Sequence, residues 1–293
     1  MSPSQCRLVD VGKRALRVQV RGQGPTVVLE AGGAGEGTTA MGFGAALEDA
    51  LAGFATVLTY DRAGSGSLGG APRRSVAAMA DDLAAVLDAT GCAAPVTVVG
   101  WSAGGLVAEM FAVRHPGRVA GLVLLDPTCA MPDEPRGLQF LRLSLGAVQL
   151  AAGALAARLG LLRGRLGRRF ARYTAGPQAS AAGLDYAYRA CNDPRSIWQL
   201  ARAMPRFDRY VTETAAALAD GPVPDIPVRV VVPRDRTGLP PTYAHRIDAA
   251  HAALARRFPR GRLVPADRTG HLVPIDRPDL VTAVVRELLQ END

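Results

Sequence analysis

The sequence predicts an α/β fold: a mostly parallel central sheet flanked by helices, with a helical insertion in its second half. Three observations predict it. Short apolar runs of about five residues alternate with helical patterns from Thr26 to Leu125. That alternation stops between Cys129 and Gly221, then returns at Pro227. Gly-rich or acidic turns follow the carboxyl ends of the apolar runs, where open parallel sheets gather their chemistry.

Element by element, Arg7–Val11 and Leu16–Arg21 alternate as a strand pair, turning at Gly12-Lys13. Thr26–Glu30 is a short buried strand leading into the glycine-rich Ala31–Gly37, and a helix is expected over Gly42–Leu51. Thr56–Tyr60 is the next strand and ends in Asp61-Arg62-Ala63-Gly64-Ser65-Gly66-Ser67. Met79, Leu83, Val86 and Leu87 recur at helical spacing within Val76–Thr90. The run Val96–Val99 then enters Gly100-Trp101-Ser102-Ala103-Gly104, and a helical pattern follows from Gly105 to Arg114. Val119–Leu125 is a further strand, closing in Asp126-Pro127.

The insertion opens with the apolar segment Leu138–Ala157 and continues with a basic helix expected over Arg158–Tyr173. Shorter helices are expected near Leu184–Cys191, Pro194–Met204 and Arg209–Ala219. The strand Val228–Val232, a helix Tyr243–Phe258, a strand Arg262–Val264 and a last helix Pro278–Gln290 complete the pattern. The expected division is therefore a core of residues 1–128 and 222–293, with 129–221 inserted.

Gly100–Gly104 is a G-x-S-x-G pentapeptide between a strand and a helix. A serine at such a turn is lifted above the sheet edge and faces a helix N-terminus, whose free N–H groups favour negative charge. A serine hydroxyl is a weak nucleophile at neutral pH, so it needs a base, and the base an orienting acid. The chain has four histidines. His115 precedes Pro116 at a helix end and reads as structural, while His245 and His251 fall in a polar helical pattern and read as solvated. His271, in a loop after the last strand, is the candidate base.

Composition narrows the alternatives. The chain has 293 residues and a net charge of +7, yet Lys13 is its only lysine; the arginine bias matches its Ala, Gly, Pro and Val richness. With aromatics at 5% and no basic motif interleaved with them, a nucleic-acid partner is not expected. The Arg158–Arg172 cluster reads as a solvated face, or as one that attracts an anionic substrate or a membrane surface. Cys6, Cys92, Cys129 and Cys191 are scattered without C-x-x-C or metal-ligand spacing, so no metal is expected and the thiols suit a reducing, cytoplasmic setting. Met1–Asp10 lacks an apolar signal core, and the uncharged stretch Leu143–Ala157 of the insertion is too short to span a bilayer. Gly32-Gly33-Ala34-Gly35 is out of register for G-x-G-x-x-G, so no nucleotide cofactor is expected.

Together these motifs resemble the α/β-hydrolase fold family. Gly32-Gly33 is similar to the family's loop that supplies one oxyanion-hole amide. Asp61–Ser67 resembles its D-R-x-G-x-G-x-S turn, and Gly100–Gly105 its nucleophile elbow. Arg114–Asp126 is similar to the helix and strand that follow, and Thr269–Pro278 to the segment carrying the catalytic histidine. The resemblance implies Ser102 as nucleophile, His271 as base, and Gly33 with Ala103 as oxyanion-hole amides, Ala34 being the alternative to Gly33. Family order puts the acid between serine and histidine: Asp235, after Val228–Val232, fits the usual position and is the expected acid, and Asp126, one strand earlier, at the position some members use, is the alternative. The usual glycine-containing turn before the acid is here Val232-Pro233-Arg234. The insertion would be the family's helical cap. The implied activity is hydrolysis of an ester-type bond in a small-molecule substrate, with a hydrophobic acyl group favoured by the apolar start of the insertion. Carbon–carbon bond hydrolysis, perhydrolysis, peptide cleavage or a silent ligand-binding role are the alternatives.

Overall fold

The computed structural model describes residues 6–12, 14–33, 35–39, 42–66, 68, 71–131 and 136–291, with only the backbone of 136–140 and 142. Lys13, Ala34 and Ser67, named above, lie outside the described residues. Eight strands form one sheet: β1 (Cys6–Asp10), β2 (Ala15–Arg21), β3 (Thr26–Glu30), β4 (Thr56–Tyr60), β5 (Val96–Trp101), β6 (Val119–Leu125), β7 (Pro227–Pro233) and β8 (Arg260–Ala266). Their order is β1-β2-β4-β3-β5-β6-β7-β8. β2 pairs antiparallel with β1 and β4, and all other neighbours are parallel.

The helices are α1 (Ala45–Ala52), α2 (Val76–Thr90), α3 (Ala103–Arg114), α4 (Arg136–Arg158), α5 (Arg165–Ala175), α6 (Ala181–Cys191), α7 (Pro194–Ala203), α8 (Phe207–Asp220), α9 (Pro241–Arg257), α10 (Val273–Asp276) and α11 (Pro278–Gln290). Alternate side chains of the inner strands point to opposite faces, because strand side chains have a period of two. Val28, Val98, Leu122 and Val230 join one core with residues of α2, α3, α8 and α9. Leu29, Val99, Val123 and Val231 join a second core with α1 and α11. Burial on both faces explains why these strands read as continuous apolar runs rather than as alternating ones.

Among the described residues the chain between β6 and β7 carries five α-helices, α4 to α8. The expected basic helix from Arg158 starts later than its composition suggests: Gly160 and Gly164 both adopt φ +73°, and α5 begins only at Arg165. α8 is anchored to the main core by Tyr210, Val211 and Leu218. Its Glu213 carboxylate accepts the N–H groups of Val76 and Ala77 at 3.0 Å each, capping α2. α10, four residues long, falls in a stretch read only as loop. The expectation that His251 is solvated is corrected: α9 turns it inward and it is 1% exposed. His245 is exposed, as its polar surroundings suggest. Among the described residues no helix is long and apolar enough to cross a membrane.

Candidate active site

β5 ends at Trp101, α3 starts at Ala103, and Ser102 is the single residue between them. Its backbone sits at φ +53°, ψ −120°, a region that costs a non-glycine residue on the order of 1–3 kcal/mol. The surrounding hydrogen bonds hold it there. Ser102 N–H donates to Leu125 O at 3.0 Å, and Ser102 O accepts from Thr128 and Gly105 at 3.0 Å each. The flanking glycine is sterically required, since a Cβ at Gly104 would lie 2.1 Å from Glu30 O. The loop after β3 closes over the same turn: a Cβ at Gly32 would lie 3.2 Å from Ser102 Cβ.

Gly33 takes φ +51°, a left-handed conformation that favours glycine. Its carbonyl is turned away and pinned by Arg62, which donates to Gly33 O at 3.0 Å and to Ala31 O at 2.6 Å. Arg62 itself is held against Glu30, a fully buried carboxylate that also accepts from Tyr60 Oη; both contacts are 2.5 Å. The Asp61-Arg62 turn is thus the clamp on the Gly33 loop, with Asp61 Oδ1 accepting from Thr38 N–H at 2.9 Å. The N–H groups of Gly33 and Ala103 donate to no described residue, and both residues line a small cavity of about 40 Å³ with Met79, Leu106 and Phe207.

His271 is fixed from two sides. Trp101 Nε1 donates to its carbonyl at 2.9 Å, and the two rings lie 5.8 Å apart. The carboxylate against its imidazole is that of Asp126: Nδ1 to Oδ2 is 2.7 Å. The usual position, Asp235, does not supply this contact. β6 delivers its terminal aspartate with φ +40°, anchored by Asp126 N–H to Val231 O at 2.9 Å. Asp235 instead folds back on its own turn, Oδ1 accepting from Thr237 N–H at 2.9 Å, and its buried Oδ2 has no partner.

Asp126 has a second partner that sequence reasoning did not single out. Arg236 donates to its Oδ1 at 2.8 Å, so the two carboxylate oxygens are shared between a guanidinium and an imidazole. Burial opposes charge on Asp126, but the His271 hydrogen bond and the Arg236 guanidinium outweigh it, and the carboxyl is held well below the usual range. An ionised carboxylate only accepts, so His271 Nδ1 carries a proton, and in the neutral ring this tautomer puts the lone pair on Nε2. His251 completes the group. Its Nε2 donates to Pro127 O at 2.9 Å, which leaves Nδ1 to accept from Arg236 at 3.4 Å. Burial lowers its pKa and keeps the ring neutral. No linear signal pairs Arg236 or His251 with Asp126, since 110 residues separate the arginine from the aspartate.

A cavity of about 500 Å³ opens beside this group, lined by His271, Asp126, Asp235 and Cys129, with Phe207 and Val211 from α8 and Tyr173 to Gly176 from the end of α5. Ser102 precedes Ala103, which lines the smaller cavity, and its carbonyl accepts from Thr128, which lines the larger. The Cys129 thiol is pushed up to about 12 by burial, with Glu109 and Asp126 adding to the effect, so it stays protonated and does not compete as a nucleophile. Among the described residues no group of three or more His, Cys, Asp or Glu side chains is placed to hold a metal ion.

A parallel sheet with serine on a strained strand-to-helix turn, histidine after the last strand and a carboxylate at a strand end defines the α/β-hydrolase class. The chain belongs to the alpha/beta hydrolase family, whose model matches residues 31–284. It is 31% identical over 207 residues to Lipase LipV of Mycobacterium tuberculosis, covering 71% of this chain and 73% of that protein. It is 39% identical over 110 residues to the pimeloyl-[acyl-carrier protein] methyl ester esterase of Chromobacterium violaceum; that match covers 38% of this chain and 40% of the esterase. The chain thus aligns with only about two-fifths of that esterase's length. A thermophilic esterase from Thermogutta terrifontis superposes with TM-score 0.63 over 99% of both chains at 23% identity, a likeness of fold.

Proposed function

We propose that the protein is a serine hydrolase that cleaves an ester-type bond through an acyl-enzyme on Ser102. The observation that carries the reading is the 2.7 Å hydrogen bond from His271 Nδ1 to Asp126, which leaves Nε2 free as a base, together with the strained serine turn at the helix N-terminus. In this mechanism Nε2 takes the Ser102 hydroxyl proton as Oγ adds to the carbonyl carbon. The Gly33 and Ala103 N–H groups donate to the resulting oxyanion, each worth about 3 kcal/mol. Collapse breaks the bond to the leaving oxygen, which receives the proton from Nε2. Water, deprotonated by the same nitrogen, then adds to the acyl carbon, the bond to Ser102 Oγ breaks, the serine oxygen takes the proton back from Nε2, and the acid is released.

Asp126 is the triad acid in this reading, and α4 to α7 form a cap over the site. The 40 Å³ cavity beside the two amides is too small for more than a short group, and the mostly apolar 500 Å³ cavity takes the larger half of the substrate. The esterase and lipase names of the relatives favour an oxygen ester over an amide. The test is labelling with a fluorophosphonate probe and turnover of short- and medium-chain p-nitrophenyl esters. Wild-type protein labels and turns over, whereas Ser102→Ala and His271→Ala lose turnover and Ser102→Ala loses the label. Absence of both label and turnover in the wild type overturns the proposal.

A further inference from the structure

α5 is packed inside out. It buries Gly167, Ala171 and Ala175 against Ala187 of α6 and leaves its large apolar side chains in water: Leu166 is 60% exposed, Phe170 45% and Tyr173 81%. These three recur at i, i+4 and i+7, one stripe of the helix. α4 does the same, with Leu141, Leu145, Val148 and Leu155 exposed at the spacing of one face, and Leu159 and Leu161 expose the corner between the helices. Stripes of exposed apolar side chains of this kind mark an interaction site.

The charge around it is of one sign. Residues 136–184 hold eight arginines and no acidic residue, so this segment alone exceeds the whole chain's net charge of +7 and leaves the remainder near neutral. Arg158, Arg163, Arg165, Arg168, Arg169 and Arg172 are all exposed, and among the described residues none is ion-paired; Arg168 rests over the Tyr188 ring at 5.1 Å.

We infer that the α4–α5 corner docks on an anionic lipid bilayer, arginines at the headgroups and the leucines and Phe170 in the acyl boundary. This pattern of apolar stripe and basic flank is what an interfacial helix needs. A second copy of the chain fits poorly, because a two-fold contact would face one arginine cluster with another. A nucleic acid would use the arginines and leave the leucines without a role. The docked face runs to the rim of the 500 Å³ cavity, since Tyr173 belongs to both. Docking itself does not depend on the hydrolase reading.

The experiment is co-sedimentation of the purified protein with vesicles of phosphatidylcholine alone or mixed with phosphatidylglycerol, alongside sedimentation velocity without lipid. The protein binds the mixed vesicles, binds the neutral ones weakly and is released by salt. Replacing Arg165→Gln and Arg169→Gln together lowers partitioning about 25-fold, roughly fivefold per arginine. Phe170→Ser lowers it at least about tenfold, with the circular dichroism of the wild type retained because the side chains are exposed. No binding to mixed vesicles, or binding that both variants leave unchanged, overturns the inference. A dimer in solution that Phe170→Ser dissociates also overturns it, because a second copy then covers the face.

Discussion

β6 and β7 are parallel neighbours, and each ends near an aspartate that could serve His271, but the two ends differ in how the carboxylate is used. Asp126 has both oxygens engaged, one by His271 and one by Arg236. Asp235 has one oxygen on its own turn and one without a partner. The difference teaches that position at a strand end supplies a candidate only. The backbone angle of the last residue and a cation arriving from elsewhere select which candidate faces the imidazole. At β7 the arginine of Asp235-Arg236 reaches across to the neighbouring strand's aspartate, so the usual acid position contributes its neighbour instead.

The comparison can be broken most sharply at Asp126. Asp126→Asn removes the acceptor that sets the His271 tautomer, and kcat on a p-nitrophenyl ester falls by about 10⁴-fold while the thermal transition persists. A loss under tenfold would hand the role to another group. Arg236→Gln leaves the pair in place but frees one side of the carboxylate, so kcat drops by roughly 10- to 100-fold with KM little changed. Asp235→Asn keeps an acceptor for Thr237 N–H and leaves kcat/KM within about tenfold of wild type. A loss as large as that of Asp126→Asn would reverse the assignment of the two strand ends.

A subtler effect lies beneath the site, on α3. Glu109 is fully buried with Oε1 unpartnered, and burial pushes its carboxyl up from 4.5 to about 8. The folded state then holds a proton that the unfolded chain releases, so its contribution to stability is complete below pH 4.5 and is lost as pH rises toward 8. The loss is on the order of 5 kcal/mol. Glu109→Gln removes that titration. Its melting temperature should exceed that of the wild type near pH 8, with the gap closing toward pH 5. A constant gap across that range would show that the buried carboxyl is not the titrating group.

Most of the sheet was legible because both of its faces are covered, which turns inner strands such as Val96–Val99 and Val119–Leu125 into unbroken apolar runs. Ser102 was legible because its turn demands glycine from within itself: a Cβ at Gly100 would lie 2.8 Å from Gly104 O. His271 was legible because it stands in a loop with a recognisable motif around it. The break between α4 and α5 was hidden by the basic composition that runs through it. His251 was misread because the polar residues around it on α9 suggested water on all sides. Its neighbours in space, Pro127 and Arg236, belong to other elements, and hydrogen bonds to them satisfy a buried ring.

The sequence by itself determined the α/β layering, the serine turn, the histidine and the place of the inserted helices, because each rests on periodicity or steric demands within a few residues. Only the tertiary structure decided which aspartate meets His271, that Arg62 clamps the Gly33 loop, and that α5 faces outward with its leucine and aromatic side chains. Those outcomes are contacts between residues tens to more than a hundred positions apart. Their energies depend on distances and burial that exist only once the strands are paired, and no local pattern encodes them.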